Sequence, residues 1–168
     1  GVNVIDVGVV TTPGLAYLTQ NQDAQGAVMI SASHNPSEYN GFKFLNEAGL
    51  RMGQEDKLVS TFFNLVDYEE NGTMGRVKHS PDVVDMYIDE QVRLFGESSL
   101  NNLEPLRLIV DCANGASSST VPQILKRLKA DVIAINRNIS RGLINDHCGS
   151  EYVRANPEAW KRIIREHS

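Results

Sequence analysis

Short apolar runs separated by helical segments constrain the fold of this 168-residue chain more than any other feature. Strand-like residues 2–7 and 27–30 flank one helical segment, and residues 106–110 and 131–135 flank another. The helical segments are 14–20 and 119–128. Parallel strands need such a crossover and, when buried on both faces, read as continuous apolar runs. The pattern predicts an α/β fold with two similar three-layer α/β/α domains, each with a mainly parallel mixed sheet.

The segments outside these two units carry their own signals. "GFKFLNEAGLRM" reads as an antiparallel hairpin, in which Phe42 and Phe44 form the core face and Lys43 points away from it. Apolar residues at spacings of four, four and three predict a helix with one buried face: Val84, Ile88, Val92 and Phe95. Further helices are predicted over residues 55–64 and 158–166.

A polar, glycine-containing stretch, "DYEENGTMGRVKHSPD", marks the predicted domain boundary near residue 80. We therefore expect one domain over residues 1–80 and a second over residues 81–168. A hydrophobic content of 41% against 22% charged residues suffices for packed cores.

Charge and cysteine content narrow the class of protein. A net charge of −5 argues against a nucleic-acid partner, and no run of about 18 apolar residues predicts a membrane span. Cys112 and Cys148 lack the spacing of a metal site or a disulfide framework, which favours free thiols in a reducing cytoplasm.

The strand at residues 27–30 ends in "SASHNP", an abrupt change from apolar to polar side chains. Ligands of open α/β sheets bind at the carboxyl ends of strands. Ser33, His34 and the later Lys43 together offer a nucleophilic oxygen, a proton carrier and a positive charge, which phosphoryl transfer requires. The residues alone also allow a plainer interpretation, a capped strand end beside a solvated lysine.

"SASHNP" followed by "NGFKF" resembles the active-site loop of the α-D-phosphohexomutases, and "VTTPG" and "VDCANGA" are also similar to segments of that family. The resemblance implies that Ser33 carries a phosphate, which would supply one oxygen to a bound Mg²⁺. It implies that His34 and Asn35 flank this phosphate and that Lys43 assists proton transfer. Ser31 occupies the Thr or Ser position of the motif and is interpreted as structural.

A second segment, "LINDHCGS", resembles the branch of the family that acts on glucosamine phosphates. The implied reaction interconverts glucosamine 6-phosphate and glucosamine 1-phosphate through a hexose bisphosphate, which also acts as activator. Asn145, Cys148 and Gly149 are then candidates for a substrate-side loop, although a turn with a buried thiol would need the same residues.

Three alternatives to this activity remain: the first differs only in the sugar, and the other two are of a different class. The chain could act on phosphomannose or phosphoglucose instead, or it could be a non-catalytic module that binds sugar phosphates. A serine hydrolase is disfavoured because no G-x-S-x-G elbow surrounds Ser33. In "DCANGASSST", an anion site at a helix start competes with simple capping by Ser117, Ser118 or Ser119, which we favour.

The Asp-Gly-Asp-Gly-Asp-Arg metal loop of the family does not occur in this sequence. The resemblance therefore implies that the magnesium carboxylates lie outside these residues. We expect the chain to correspond to the later part of domain 1 and most of domain 2 of a four-domain enzyme, incomplete at both ends and inactive alone.

Overall fold

The computed structural model describes residues 1–54, 57, 59–61, 73–97, 103–104, 106–140 and 142–167. Its strands are β1 (Val4–Asp6), β2 (Gly26–Ile30), β3 (Phe42–Asn46), β4 (Val77–His79), β5 (Arg107–Asp111) and β6 (Asp131–Ile135). Its helices are α1 (Thr12–Asn21), α2 (Val84–Gly96), α3 (Val121–Arg127), α4 (Gly149–Ala155) and α5 (Pro157–Glu166). Single 3₁₀ turns at Pro81–Val83 and Ala116–Ser119 precede α2 and α3. The helix predicted over residues 55–64 lies largely outside the described residues.

The chain forms two compact units. The first unit comprises Gly1–Ser31 and Phe42–Met86, and the second comprises Ala32–Gly41 and Tyr87–Ser168. The segment that carries most of "SASHNP" therefore clusters with the second unit, although it connects two strands of the first. The predicted domain boundary near residue 80 stays a prediction.

Two small sheets form the first unit. β1 pairs in parallel with β4, from Val4 opposite Val77 to Asp6 opposite His79. β2 pairs with β3 in antiparallel register, with Ile30 opposite Phe42. The prediction that the strands at 2–7 and 27–30 form a parallel βαβ pair is wrong within the described residues, because β1 takes a partner from much later in the chain.

The Asp6 carboxylate fixes the end of β1. It accepts the backbone N–H of Gly8 at 2.9 Å and lies 2.9 Å from Nδ1 of His79 on β4. The Gly8 bond and, second, the His79 bond hold the pKa of the Asp6 carboxyl below its usual range.

Helix α1 supplies the core of the first unit. The Thr11 hydroxyl caps it by accepting the Gly14 N–H at 3.3 Å. α1 contacts β2 and β3, and its Leu18 is 1% exposed while Leu45 of β3 is 4% exposed. Each such side chain contributes about 1.5–3 kcal/mol through burial. Phe42 is 59% exposed, so the prediction that it belongs to the core face is wrong: β3 buries the face that carries Leu45 instead.

The predicted hairpin is confirmed. Beyond β3 the chain turns back so that the Asn46 N–H donates to the Leu50 carbonyl at 2.9 Å. Gly49 occupies this turn at φ +69°, and a Cβ there would lie 2.5 Å from the Ala16 carbonyl oxygen of α1. The turn therefore requires glycine for both its backbone angle and its close approach to the helix.

The second unit contains the predicted βαβ unit. β5 and β6 pair in parallel from Arg107 opposite Asp131 to Asp111 opposite Ile135, and α3 forms the crossover. The helix predicted from Val84 is α2, whose Ile88 is 1% exposed; its last predicted core residue, Phe95, is 43% exposed. The reason is position, since Phe95 lies in the last turn of the helix.

The serine run before α3 differs from the expected cap. Its Ser117 and Ser119 hydroxyls donate to the Cys112 and Ala116 carbonyls, and Thr120, the N-cap, makes no side-chain capping bond. The expected capping by these serines is therefore wrong, because the Ser117 and Ser119 hydroxyls donate to carbonyls that precede them in the chain and the buried Ser118 hydroxyl has no hydrogen-bond partner among the described residues. Within the described part of the chain, no helix is long and apolar enough to span a membrane.

Candidate functional site

The loop at residues 32–41, here called the Ser33 loop, follows β2 as the sequence predicts. Ser33 is exposed and lies in a turn with a backbone φ of +59°. The left-handed region is uncommon for a residue with a side chain and costs about 1–3 kcal/mol, so the surroundings must hold it. One internal bond supports the turn, from the Asn35 N–H to the Ala32 carbonyl at 3.2 Å.

A side chain of the second unit binds the Ser33 loop from outside. Nδ2 of Asn145 donates to the Ser33 carbonyl at 3.1 Å and to the Asn35 carbonyl at 2.8 Å. Both amide hydrogens are thus used, one on each side of His34. Asn145 lies in the segment predicted as a substrate-side loop, but its observed contacts are with the backbone of the Ser33 loop.

Asn145 is itself held by the loop that follows β5. Its backbone N–H donates to the Ala113 carbonyl at 3.0 Å. Asp111, the last residue of β5, accepts the N–H of Ala113 at 2.9 Å through Oδ1 and the N–H of Gly149 at 2.7 Å through Oδ2. One carboxylate therefore joins the loop after β5 to the start of α4.

The side chain of Asn114 makes two further hydrogen bonds in the same region. Its Nδ2 donates to the Leu143 carbonyl at 3.0 Å, and its Oδ1 accepts the Asn138 N–H at 2.9 Å. Nδ2 of Asn136 donates at 2.9 Å to Oδ1 of Asp111, the oxygen that also accepts the Ala113 N–H. The carboxyl ends of β5 and β6 are thus cross-linked by side-chain amides to the segment that carries Asn145.

An open depression of about 860 Å³ lies between the Ser33 loop and α4 within the second unit. This volume is in the range of small-molecule sites. Its lining includes His34, Asn35, Asn145, Cys148, Glu151 and Arg154. Four of the predicted site residues, two from each motif, therefore line one depression, and Ser33 lies in the same loop as two of them.

Charged groups of α4 face this depression. Nε of Arg154 lies 3.1 Å from Oε2 of Glu151, and the Arg154 guanidinium holds the pKa of the Glu151 carboxyl below its usual range. The charge of His34 lowers the same pKa further, as a smaller effect. An anion entering beside His34 would therefore meet one cation already paired with a carboxylate.

Neither cysteine has the properties of a nucleophile. Cys148 is 2% exposed, and burial raises the pKa of its thiol, with Asp111 and Asp146 adding to the increase. Burial likewise raises the pKa of Cys112, which is 1% exposed. Both groups are neutral near pH 7, and the Cys148 sulfur instead lies 3.5 Å from Nδ2 of Asn114.

Two other predicted site residues, Lys43 and Gly149, are not among the residues that line the depression. Lys43 is a half-buried residue of β3 in the first unit, opposite Met29 of β2. Gly149 begins α4 at φ +80°, where a Cβ would lie 2.9 Å from the Ala113 Cβ and 3.2 Å from Oδ1 of Asn145. The catalytic role of Lys43 stays a prediction, whereas Gly149 has a structural reason to be glycine.

Sequence reasoning did not single out Asp111, Asn114, Glu151 or Arg154. Asp111 belongs to the motif "VDCANGA" and lies at the carboxyl end of a predicted strand, a position that indicates a candidate site residue. Glu151 and Arg154 belong to α4, a helix that the sequence analysis did not predict. Their i, i+3 spacing gives no signal of function, because such pairs are common on exposed helices.

The described residues do not form a magnesium site by themselves. No group of three or more His, Cys, Asp or Glu side chains within the described ranges could hold a metal ion. Mg²⁺ requires near-octahedral oxygen ligation, which a phosphate on Ser33 could supply only in part. The donors of the described residues therefore do not fit the ion.

Comparison with known proteins agrees with the motifs. Residues 1–68 match the family model for the phosphoglucomutase/phosphomannomutase α/β/α domain I. The predicted relationship to the phosphohexomutases is confirmed. A phosphoglucosamine mutase of Symbiobacterium thermophilum is 37% identical over 99% of this chain, and one of Desulforamulus reducens is 39% identical over 90%.

The chain spans only about a third of these relatives, 36% and 34% of their lengths. Among solved structures, a phosphoglucomutase/phosphomannomutase family protein from Burkholderia thailandensis superposes with a TM-score of 0.67. That match has 24% identity and covers 85% of this chain and 31% of the other. It confirms the mixed α/β fold class of the phosphohexomutase domains.

Proposed function

We propose that the protein containing this chain is a phosphoglucosamine mutase, which interconverts glucosamine 6-phosphate and glucosamine 1-phosphate. The observation that carries the proposal is Ser33, exposed in a left-handed turn of the family's motif and bracketed by two hydrogen bonds from Asn145. The names of the curated relatives support the sugar. The depression beside the loop has room for a hexose phosphate.

In the proposed reaction, Ser33 begins as a phosphoserine. A sugar hydroxyl attacks the phosphorus and gives its proton to a base, while the bond from phosphorus to the Ser33 oxygen breaks and that oxygen takes up a proton. The sugar is then a bisphosphate. After it reorients, the Ser33 hydroxyl loses its proton as it attacks the other phosphoryl group, and the sugar oxygen that this group leaves takes up a proton. The enzyme ends as it began, so the net reaction is an isomerisation.

Two residues of the motif would assist this transfer. His34 adjoins the serine in sequence and lines the depression, where its charge would favour a phosphate. Lys43 would move the hydroxyl proton, a role that rests on its match to the family's Asn-Gly-x-Lys block. Asn35 would flank the phosphate. Phosphoryl transfer depends on such positioning and charge more than on covalent help.

Magnesium and a hexose bisphosphate complete the proposal. A phosphate on Ser33 would supply one oxygen to Mg²⁺ in the complete enzyme, and the carboxylate ligands would come from residues other than those described. The bisphosphate would phosphorylate Ser33 in enzyme that has lost its phosphate.

A phosphomannomutase or phosphoglucomutase is the second candidate, because the matching family model carries both names. The two candidates share the Ser33 chemistry and differ only in the sugar. They are separated by comparing kcat/KM for glucosamine 6-phosphate, mannose 6-phosphate and glucose 6-phosphate in one preparation.

The test uses the natural protein that carries these residues, with magnesium and a bisphosphate primer. We expect glucosamine 1-phosphate to form, and mass spectrometry to find phosphate on Ser33. Ser33→Ala should reduce turnover at least 10⁴-fold, on the order of what loss of an essential nucleophile costs. Ser60→Ala is the matched control, an exposed serine whose hydroxyl donates to the Lys57 carbonyl at 3.0 Å.

Two results would refute the proposal. Near-normal turnover by Ser33→Ala would exclude Ser33 as the phosphate carrier. Sugar-phosphate binding without turnover, and without phosphate on Ser33, would indicate a non-catalytic binding module instead.

A further inference from the structure

We infer that Asn145 is a positioning residue that holds Ser33 in its reactive conformation through two backbone carbonyls. The inference rests on the proposed function for its catalytic consequence, although the geometry stands without it. Asn145 lies 112 residues from Ser33 in sequence, and its side-chain amide donates to two main-chain oxygens of the Ser33 loop.

The position of the two bonds matters. The Ser33 carbonyl belongs to the peptide that follows the left-handed residue, and the Asn35 carbonyl precedes Pro36. Fixing both oxygens fixes the peptide plane between Ser33 and His34 and the peptide plane between Asn35 and Pro36. The left-handed turn at Ser33 then cannot relax to a conventional angle without breaking at least one bond. The direction of the Ser33 Cα–Cβ bond is set by the same backbone.

The side chain of Asn145 is well suited to this task. Asn145 itself has φ +59°, a conformation that asparagine tolerates better than most residues. Its backbone N–H is bound to the Ala113 carbonyl, and the neighbouring Gly149 N–H is bound to Asp111. The amide therefore projects from a segment fixed to the end of β5, which is a rigid element. A mobile surface asparagine could not position another loop in this way.

Two substitutions separate the hydrogen bonds from the backbone angle. Asn145→Gly removes the amide and accepts φ +59° freely, and Asn145→Asp keeps the shape but replaces the donors with an acceptor. Both variants lose both bonds. We expect each to lower kcat about 100-fold, the order of effect that follows a misplacement of about 1 Å, while KM stays within about threefold.

The control is Asn21→Asp in the last turn of α1. Asn21 is also an exposed amide that donates to a backbone carbonyl, that of Tyr17 at 2.8 Å. It repeats the chemical change of Asn145→Asp without touching the Ser33 loop. We expect its kcat and KM to match those of the unaltered protein.

A second measurement does not depend on catalysis. Hydrogen exchange of the amides at residues 34–39 should be at least tenfold faster in both Asn145 variants, with exchange in β5 and β6 unchanged. Unchanged exchange in the loop would overturn the inference, whatever the activity. Faster exchange with unchanged kcat would overturn it as well, because the loop would then not need its anchor.

The remaining outcomes distinguish the inference from the proposed function. If the unaltered protein has no mutase activity and no phosphate on Ser33, the proposed function fails, and loop exchange still decides the structural claim. If Asn145→Asp loses activity while Asn145→Gly keeps it, the added charge is responsible and the positioning role is refuted.

Discussion

Replacing Gly149 with alanine tests the packing around the Ser33 loop most directly. Gly149 has φ +80°, and a Cβ there would lie 2.9 Å from the Ala113 Cβ and 3.2 Å from Oδ1 of Asn145. The left-handed angle costs an alanine about 1–2 kcal/mol, and forcing an extra methyl into a packed site costs about 1–3 kcal/mol more. We therefore expect Gly149→Ala to lower the free energy of unfolding by about 2–5 kcal/mol.

Gly142→Ala is a matched control in the same segment. Gly142 has φ +86°, but apart from its chain neighbours no atom of the described residues lies within 4 Å of where its Cβ would be. It carries the backbone cost of an alanine without the collision. The difference between the two variants, about 1–3 kcal/mol, isolates the contact with Ala113 and Asn145.

Urea unfolding followed by circular dichroism measures both variants, and a difference of 1 kcal/mol corresponds to about 2–4 °C in Tm for a chain of this size. Gly149→Ala should also weaken the amide bonds from Asn145, because its Cβ displaces Oδ1 of that side chain. Equal destabilisation of the two glycine variants would refute the reasoning, since the close approach at Gly149 would then have no energetic meaning.

Three further outcomes are expected. Lys43→Met in the natural protein should lower turnover by about 100-fold, near 3 kcal/mol of charge stabilisation, and should shift the unfolding midpoint far less; equal turnover would remove Lys43 from the mechanism. Iodoacetamide should modify Cys148 and Cys112 in the folded protein at pH 7.5 much more slowly than after unfolding, because burial raises both thiol pKa values; equal rates would contradict that burial. His79→Gln should raise the pKa of the Asp6 carboxyl toward its ordinary value, as measured by NMR titration. The lowered pKa stabilises the fold at pH values above the ordinary pKa of an aspartate, and this stabilisation is lost as the pH falls through the lowered pKa of the folded protein. An unmoved Asp6 pKa would show that the Gly8 bond alone is responsible.

The part of the site that the sequence predicts is local. The apolar run that ends at Ile30, followed by a polar loop, places Ser33 correctly beyond a strand. The βαβ unit of β5 and β6 follows in the same way, because strand, turn and helix signals lie within about 30 residues. These features depend on periodicity and turn chemistry, which a single sequence contains.

The remaining features depend on contacts between distant residues. The local sequence of β1 does not predict that it pairs with β4, because pairing with β2 would satisfy the same backbone donors. The exposed Phe42 is a similar case, because hydrophobicity alone does not say which face of a two-sided strand is covered. The bond from Asn145 to the Ser33 loop spans 112 residues and could not be inferred from spacing.

This separation of 112 residues also sets an order of events during synthesis. A ribosome adds about 5–20 residues per second, so the Ser33 loop waits on the order of ten seconds for its asparagine to be made. During that interval the two hydrogen bonds from Asn145 cannot stabilise the left-handed turn at Ser33. A hybrid gene that joins two relatives near residue 80 would inherit the loop from one parent and its anchor from the other. Such a hybrid should be designed with residues 32–41 and 143–149 taken from the same parent.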